Sequence, residues 1–304
     1  MPPAAVVVNR TLVRDLGRFR RRCRAAAAPG GWQPSFLETT RDERGLGLAR
    51  GAVASGAELI VAAGGDGTVR ACVQALAGTQ VPLAIVPLGT ANLVARALGV
   101  PRGTGAALAA AFGGHERRID LAAAGPAWPV SGTGTLAFGA MAGIGLDAQV
   151  VAATPRLLKR RAGWLAYAVA GAAHLPGRGA WFMVRLDGGE PLARQARCVV
   201  VGNAGLLPGG FTLLPRARLD DGLLDVGILA PSGPAGWLRV ARQVVTGSGR
   251  DGPELESHQA RRVEITAATL LPREVDGEVI APGRSLCVTL LRRALTVRVP
   301  SPGG

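Results

Sequence analysis

An α/β domain followed by a mainly antiparallel β-sandwich domain is the fold class this sequence predicts, and two observations carry it. Up to about residue 122, short Val/Ala/Ile runs alternate with helical patterns, and strands alternating with helices imply a parallel sheet with crossovers. Beyond Asp120 the texture changes to short β-prone pieces separated by Gly, Pro and Asp-Gly, the spacing of an antiparallel sandwich or barrel. The first domain, residues 1–122, is therefore expected to be doubly wound and Rossmann-like, and the second to occupy residues 123–292.

The elements follow in order. AVVVN predicts the first strand, and the arginine-studded segment through Ala28 a helix with a solvated basic face. ELIVAAGG and PLAIVPLGT predict strands, each followed by a helix, TVRACVQALAG and ANLVARALGV. Leu121 to Leu146 carries no charge and is long enough to suggest a membrane span, but Pro126, Pro129 and many glycines punctuate it, so strands and turns are expected. RCVVVGNAG, LLDVGILA, RRVEITA and SLCVTLLRRALTVRVP predict further strands, with one helical interruption from Pro155 to about Leu175.

A chain of 304 residues suits two domains of ordinary size. Its 35 basic residues against 21 acidic ones give a net charge of +14, which favours an anionic partner. Nucleic acid, anionic lipid and phosphorylated small molecules all match that sign. Nucleic acid ranks last, because no recognised motif or basic stretch interleaved with stacking aromatics is present. Cys23, Cys72, Cys198 and Cys287 stand singly, without C-x-x-C pairs, which indicates neither a disulfide framework nor a zinc site and fits a reducing compartment. His115, His174 and His258 show no ligand spacing. The opening MPPAAVVVNRTLVRD has no basic residue ahead of its short apolar run, so no signal peptide is expected.

Two glycine-bearing turns carry the chemistry. GGDGT places Gly64, Gly65, Asp66, Gly67 and Thr68 between a strand and a helix, where backbone without Cβ approaches a ligand closely and a helix N-terminus offers amide donors to phosphate. An ordinary βα loop is the bland alternative. PLGTAN repeats the arrangement with Gly89, Thr90 and Asn92 after the next strand, and two such turns in adjacent βα units line one crevice at the carboxyl edge of the sheet. No G-x-G-x-x-G opens a helix, and a G-x-x-x-x-G-K-[ST] loop is excluded because Lys159 is the only lysine.

Three segments of the second half remain open on their residues alone. EVDGEVI puts Asp276 and Glu278 either on one face of a strand, as a paired carboxylate, or at a two-residue hairpin with Asp276-Gly277 at its corner. Asp220-Asp221-Gly222 reads as a solvated turn. PRLLKRRAGWLAYAVAGAAHL joins Arg156, Lys159, Arg160 and Arg161 to Trp164 and Tyr167 at helical spacing, either a core helix with a solvated arginine face or a helix lying on an anionic bilayer.

GGDGT followed by PLGTAN, then GIGLDAQVV, KRRAGWLAYAV, VGNAGLLPGGFTLLPRARLDDGLLDV, VDGE and ALTVRVP in that order, resembles the diacylglycerol kinase catalytic domain family of bacterial lipid kinases, diacylglycerol kinases and sphingosine kinases, itself related to NAD kinases and phosphofructokinases. The resemblance runs nearly the whole length. It implies an ATP site from Gly64, Gly65, Asp66, Gly67, Thr68 and Thr90, with Thr40, or Thr39 beside it, as a further nucleotide contact and Asn9 in the opening loop. That loop, Asn9-Arg10-Thr11-Leu12, keeps the family's asparagine and loses its proline and glycine. The family's Asn-Asp pair is here Asn92-Leu93, which leaves Asp66, with Asp120, to hold the catalytic Mg2+. The DGE element implies Glu278 as general base with Asp276 orienting it. A structural magnesium is implied at Asp221, with Arg218 and Leu223 as carbonyl donors. The last strand is implied to return to the first domain, placing residues 293–304 there, and the active site is expected in the cleft between domains.

The implied activity is transfer of the ATP γ-phosphate to a diacylglycerol-like alcohol at a membrane surface, by a cytoplasmic protein peripheral at the inner membrane face. A homodimer is compatible with this. NAD kinase shares the GGDGT turn, but the Asn-Glu pair that grips its substrate's ribose has no counterpart after Asn92. A non-catalytic nucleotide or lipid sensor on the same fold is the alternative from another class.

Overall fold

The computed structural model describes residues 1–132, 134–145, 179–248 and 252–301. The chain divides into two compact units, Met1–Leu121 with Arg292–Gly304, and Ala122–Leu291.

The first unit is α/β. Its strands β1 (Pro3–Val8), β2 (Gln33–Glu38), β3 (Leu59–Gly64) and β4 (Leu83–Pro87) lie in the order β2–β1–β3–β4, all parallel. The end of β14 (Glu278–Val299) adds a further parallel strand through Val297 opposite Leu83. β3 is buried along its whole length, as a central parallel strand covered on both faces must be. Helix α1 (Leu16–Ala27) starts where the Asp15 side chain accepts the Arg18 N–H at 2.8 Å, and it buries Phe19, Cys23 and Ala27 at four-residue spacing while its arginines face outward. Arg20 pairs with Glu38 at 2.8 Å, and Arg20 and Arg24 both lie over the Phe36 ring. Helices α2 (Leu46–Ala54), α3 (Asp66–Leu76), α4 (Leu93–Ala97) and α5 (Thr104–Gly113) complete the crossovers.

Three of these elements are not among those the sequence patterns single out. β2 opens Gln-Pro and is an edge strand, where proline is tolerated. α2 and α5 are rich in alanine and glycine, so little polar alternation marks their faces even though α5 buries Ala107, Leu108, Ala110, Ala111 and Phe112.

The second unit is an antiparallel sandwich. β7 (Met141–Gly145), β10 (Cys198–Gly202), β11 (Leu224–Leu229) and β12 (Leu255–Ala260) form one run of pairings that continues from β7 to β13 (Arg262–Val275). β8 (Ala180–Leu186) and β9 (Leu192–Ala196) attach to the first half of β13. The register of β13 slips between Thr266 and Leu271, and beyond that irregularity its partner is β7 instead of β8. One long strand thus serves both layers. Phe138, Ile144, Phe182, Val226, Ile265 and Leu286 belong to the core, and along β8 buried Phe182 and Val184 alternate with exposed Trp181, Met183 and Arg185. The Arg194 fork of β9 holds Glu256 of β12 at 2.7 and 3.0 Å, and His258 meets the same carboxylate at 2.7 Å.

The described part of the charge-free stretch is strand and turn: the end of β5 (His115–Gly125), β6 (Leu136–Phe138) and β7. One correction concerns helices. The expected helix from Pro155 to Leu175, with its basic and aromatic residues, lies outside the described residues, whereas an unanticipated helix α6 spans Gly233–Thr246. Pro234 stands at its start, Trp237, Val240, Ala241 and Val244 are buried, and Gly247 at φ 59° ends it. Among the described residues no helix is long and apolar enough to cross a membrane.

Candidate functional site

The strand order places β2 on one side of β1 and β3 on the other, so the chain reverses direction across the sheet between β1 and β3. Ligands of open α/β sheets bind at the carboxyl ends of such strands. Three turns meet there. Asn9 continues the ladder of β1 by donating its N–H to the Ala63 carbonyl at 2.9 Å, and Leu88 donates to the Gly64 carbonyl at 2.8 Å. A Cβ on Gly65 would lie 3.4 Å from the Gly89 Cα and 3.7 Å from the Leu12 side chain, so the three turns pack against one another.

Asp66 and Asn92 hold two of these turns together. The Asp66 carboxylate accepts the backbone N–H of Asn92 at 2.9 Å and of Leu93 at 2.7 Å, capping α4 from a neighbouring βα unit. Asn92 adopts φ 50°, a left-handed conformation that asparagine tolerates, and its amide closes the turn by donating to the Gly89 carbonyl at 2.7 Å and accepting the Gly89 N–H at 3.1 Å. At the start of α3, Gly65 supplies no side-chain cap, and no acceptor among the described residues takes the N–H of Asp66 or Gly67. Those donors and the helix dipole make an anion site. Thr68 is buried against Gly64, while Thr90 is exposed beside Gly89.

The other residues expected here take varied places. Asn9 turns its side chain back on its own loop, accepting the Thr11 N–H at 3.1 Å and the Thr11 hydroxyl at 2.7 Å. Thr40 is exposed after β2, and its hydroxyl accepts the Glu43 N–H at 3.0 Å. Asp66 and Asp120, the expected cation ligands, both engage backbone. Both oxygens of Asp66 accept backbone N–H groups, and Asp120, fully buried, accepts the Arg293 N–H at 2.6 Å, where Arg293 adopts φ 48°. Each carboxylate satisfies a strained or orphaned stretch of backbone. Among the described residues no cluster of three or more His, Cys, Asp or Glu stands ready for a metal ion.

In the second unit the hairpin alternative describes Asp276 and Glu278, and the single-face pairing of their carboxylates is overturned. Asp276 and Gly277, at φ 48° and 77°, form a two-residue turn in which Val275 of β13 faces Glu278 of β14. A carboxylate at the turn corner and one on the returning strand do not share a strand face. Instead, Asp276 is buried and accepts three backbone donors: Gly139 N–H at 3.1 Å, and Ala140 and Met141 N–H at 2.9 Å each. Charge-assisted bonds of this kind lock the hairpin onto the entry to β7. Asn203, absent from the sequence-derived site, holds the same segment from the other side, through its N–H to the Ala140 carbonyl at 2.8 Å and its amide to the Gly139 carbonyl at 3.1 Å. A polar residue at the end of the apolar run CVVVG was the signal for it. Glu278 is half-buried.

The Arg218–Leu223 turn carries an exposed Asp221 whose Oδ1 accepts the Leu223 N–H at 3.0 Å. Nearby Asp225 is buried, and its carboxyl is pushed up to about 6, by burial first and also by the charge of Asp221. Oxygen donors and excess negative charge suit a hard cation.

The family model of the diacylglycerol kinase catalytic domain matches residues 3–124, and that of the YegS C-terminal NAD kinase beta sandwich-like domain matches residues 140–299. A protein of Pseudomonas aeruginosa (strain UCBPP-PA14) named "Probable lipid kinase YegS-like" is 35% identical over 295 residues, covering 91% of this chain and 88% of that protein. One of the same name from Pseudomonas syringae pv. tomato (strain DC3000) is 36% identical over 282 residues, covering 89% and 85%. A solved diacylglycerol kinase of Bacillus anthracis (strain Sterne) aligns with a TM-score of 0.73 at 22% identity, over 98% of this chain and 96% of that one. Yeast NADH kinase complexed with NADH aligns at 0.52 and 10% identity, over 97% and 82%. At these identities the two structures share the fold.

Proposed function

The chain belongs to the YegS-like lipid kinases of the diacylglycerol kinase catalytic domain family, and from that membership we propose that it transfers the γ-phosphate of ATP to the hydroxyl of a diacylglycerol-like lipid. The observation that carries the reading in the first unit is the contact of two glycine turns at the reversal of strand order, with the N–H groups of Asp66 and Gly67 open to an anion.

Each step then has a residue. The turn Gly64–Thr68 receives the phosphates on backbone donors, and the hydroxyls of Thr90 and Thr40 contact the nucleotide. Glu278 takes the proton of the lipid hydroxyl as the oxygen attacks. A bond forms between that oxygen and the γ-phosphorus, the bond from the γ-phosphorus to the β-phosphate oxygen breaks, and ADP leaves. Asp276 is a positioning residue: it fixes the turn from which Glu278 departs. Asp66 would hold magnesium, which when bound would supply neutralisation of the phosphate charge. A second magnesium at Asp221, with carbonyls of Arg218 and Leu223, would brace its turn. The net charge of +14 supports docking at an anionic membrane surface, the source of such a substrate.

The test is transfer of labelled γ-phosphate from Mg-ATP into a panel of lipids in mixed micelles. Labelled phosphatidic acid from the wild type supports the assignment. Binding of ATP without labelling of any lipid overturns it in favour of a nucleotide sensor.

A further inference from the structure

Helix α1 carries five arginines and no acidic residue, and the structure divides those arginines into two sets. Arg20 and Arg24 face β2: Arg20 pairs with Glu38 at 2.8 Å, and both guanidinium groups lie over the Phe36 ring. Arg18, Arg21 and Arg22 are exposed, and no hydrogen bond, ion pair or ring contact among the described residues takes any of their guanidinium groups. The carboxylate at the head of the helix, that of Asp15, is engaged with the Arg18 backbone N–H at 2.8 Å.

Residues three and four apart on a helix are surface neighbours, so Arg18 repels both Arg21 and Arg22. A solvated helix face relieves such repulsion by mixing signs, and this one does not. The neighbouring helix supplies no relief either. α5 packs against α1, contains no charged residue, and turns Gly105, Ala106 and Ala109 to solvent. The two helices together expose positive charge beside small, uncharged side chains, with no carboxylate on either.

An extended anionic surface compensates a face of this kind. A bilayer containing anionic lipid presents negative charge over its whole area, attracts each basic residue near it, and closes down on small side chains without steric conflict. A polynucleotide matches less well, because no aromatic side chain stands among these exposed residues to stack on bases.

We infer that the exposed face of α1, through Arg18, Arg21 and Arg22 with α5 beside it, docks on an anionic lipid bilayer. The choice of a lipid partner rests on the lipid-kinase reading above, and the inference gives the membrane contact an address in the first unit.

The experiment is co-sedimentation of the full chain with vesicles of phosphatidylcholine alone and with phosphatidylglycerol as about a third of the lipid. Wild type is expected to bind only the anionic vesicles and to be released as salt is raised. Arg18→Gln, Arg21→Gln and Arg22→Gln combined should weaken that binding about 100-fold, or about fivefold for each charge. The denaturation midpoint of this variant should hold or rise, because the repulsion is gone. The same three positions changed to Lys should bind as the wild type does, since the attraction is one of charge. Arg50→Gln, Arg242→Gln and Arg284→Gln combined, at exposed positions outside the two helices, remove the same charge and should bind nearly as the wild type does.

Equal losses in the two glutamine variants would reduce the effect to net charge and overturn the inference. So would an α1 variant that binds like the wild type, a lysine variant that fails to bind, or a wild type that ignores anionic vesicles. If the α1 variant loses affinity for an oligonucleotide and keeps it for vesicles, the face belongs to nucleic acid and the inference falls. Lipid labelled in micelles without vesicle binding through α1 removes this surface alone. Vesicle binding through α1 with no lipid labelled leaves the surface standing and removes the kinase reading.

Discussion

A Cβ placed on Gly89 would stand 2.6 Å from the Cα of Gly65, so the two glycine turns touch backbone to backbone. No side chain fits between them. The contact aligns the start of α3 with the loop that leads to α4, and Asp66 then crosses it to reach the N–H groups of Asn92 and Leu93. Gly89→Ala must push the turns apart, at an overpacking cost on the order of 2 kcal/mol. ATP affinity should fall at least about tenfold for the same displacement. Chemical denaturation and ATP titration of the one variant check both effects, and unchanged values for both would mean the contact is not needed.

Asp276 and Glu278 should separate in their effects. Glu278→Gln keeps the fold and the ATP affinity but lowers turnover by about 10²–10⁴-fold, the usual contribution of a positioned base. Asp276→Ala strands three buried N–H groups and should cost on the order of 3 kcal/mol of stability before any effect on catalysis is counted. Denaturation midpoints read beside initial rates tell the two apart.

All four cysteines are free and buried. Burial pushes Cys23 and Cys72 up to about 12, so neither forms thiolate near neutral pH. A thiol reagent at about pH 8 should leave both unmodified until denaturant is added, as mass spectrometry of the labelled peptides would show. Rapid labelling of Cys72 in the native protein would contradict its packing in α3.

The Arg194 fork, and after it His258, hold Glu256 below the usual carboxylate range. A folded-state value lower than the unfolded one near 4.5 means that the group's stabilisation is present above that pH and is lost as pH falls through the folded value. Wild type should exceed Glu256→Gln in stability near neutral pH, and the two should converge as pH falls below the unfolded value near 4.5. Parallel curves across that range would assign the pair no role in acid unfolding.

Much of the architecture is written in local patterns. Buried runs such as LIVAAG and LAIVP announce parallel strands because both faces are covered, and GGDGT and PLGTAN announce their turns because Gly64 and Gly89 leave no room for a Cβ and Asn92 adopts φ 50°. The family is legible for the same reason, since its motifs are local and recur in order. α5 is not marked by its pattern, because an alanine-rich segment carries little polar contrast and its burial is decided by what packs on it, whereas α6, with Trp237, Val240, Ala241 and Val244 buried and Arg239 and Arg242 exposed, has the spacing of an amphipathic helix.

The sequence by itself determined the fold class, the two turns and the residue types that phosphate chemistry requires, because each depends on neighbours within a few positions. Only the tertiary structure decided what the carboxylates do. Asp66 meets N–H groups 26 and 27 residues away and Asp276 meets donors more than 130 residues away. A carboxylate's role is set by whichever donors fold against it, and no spacing along the chain encodes contacts at that range.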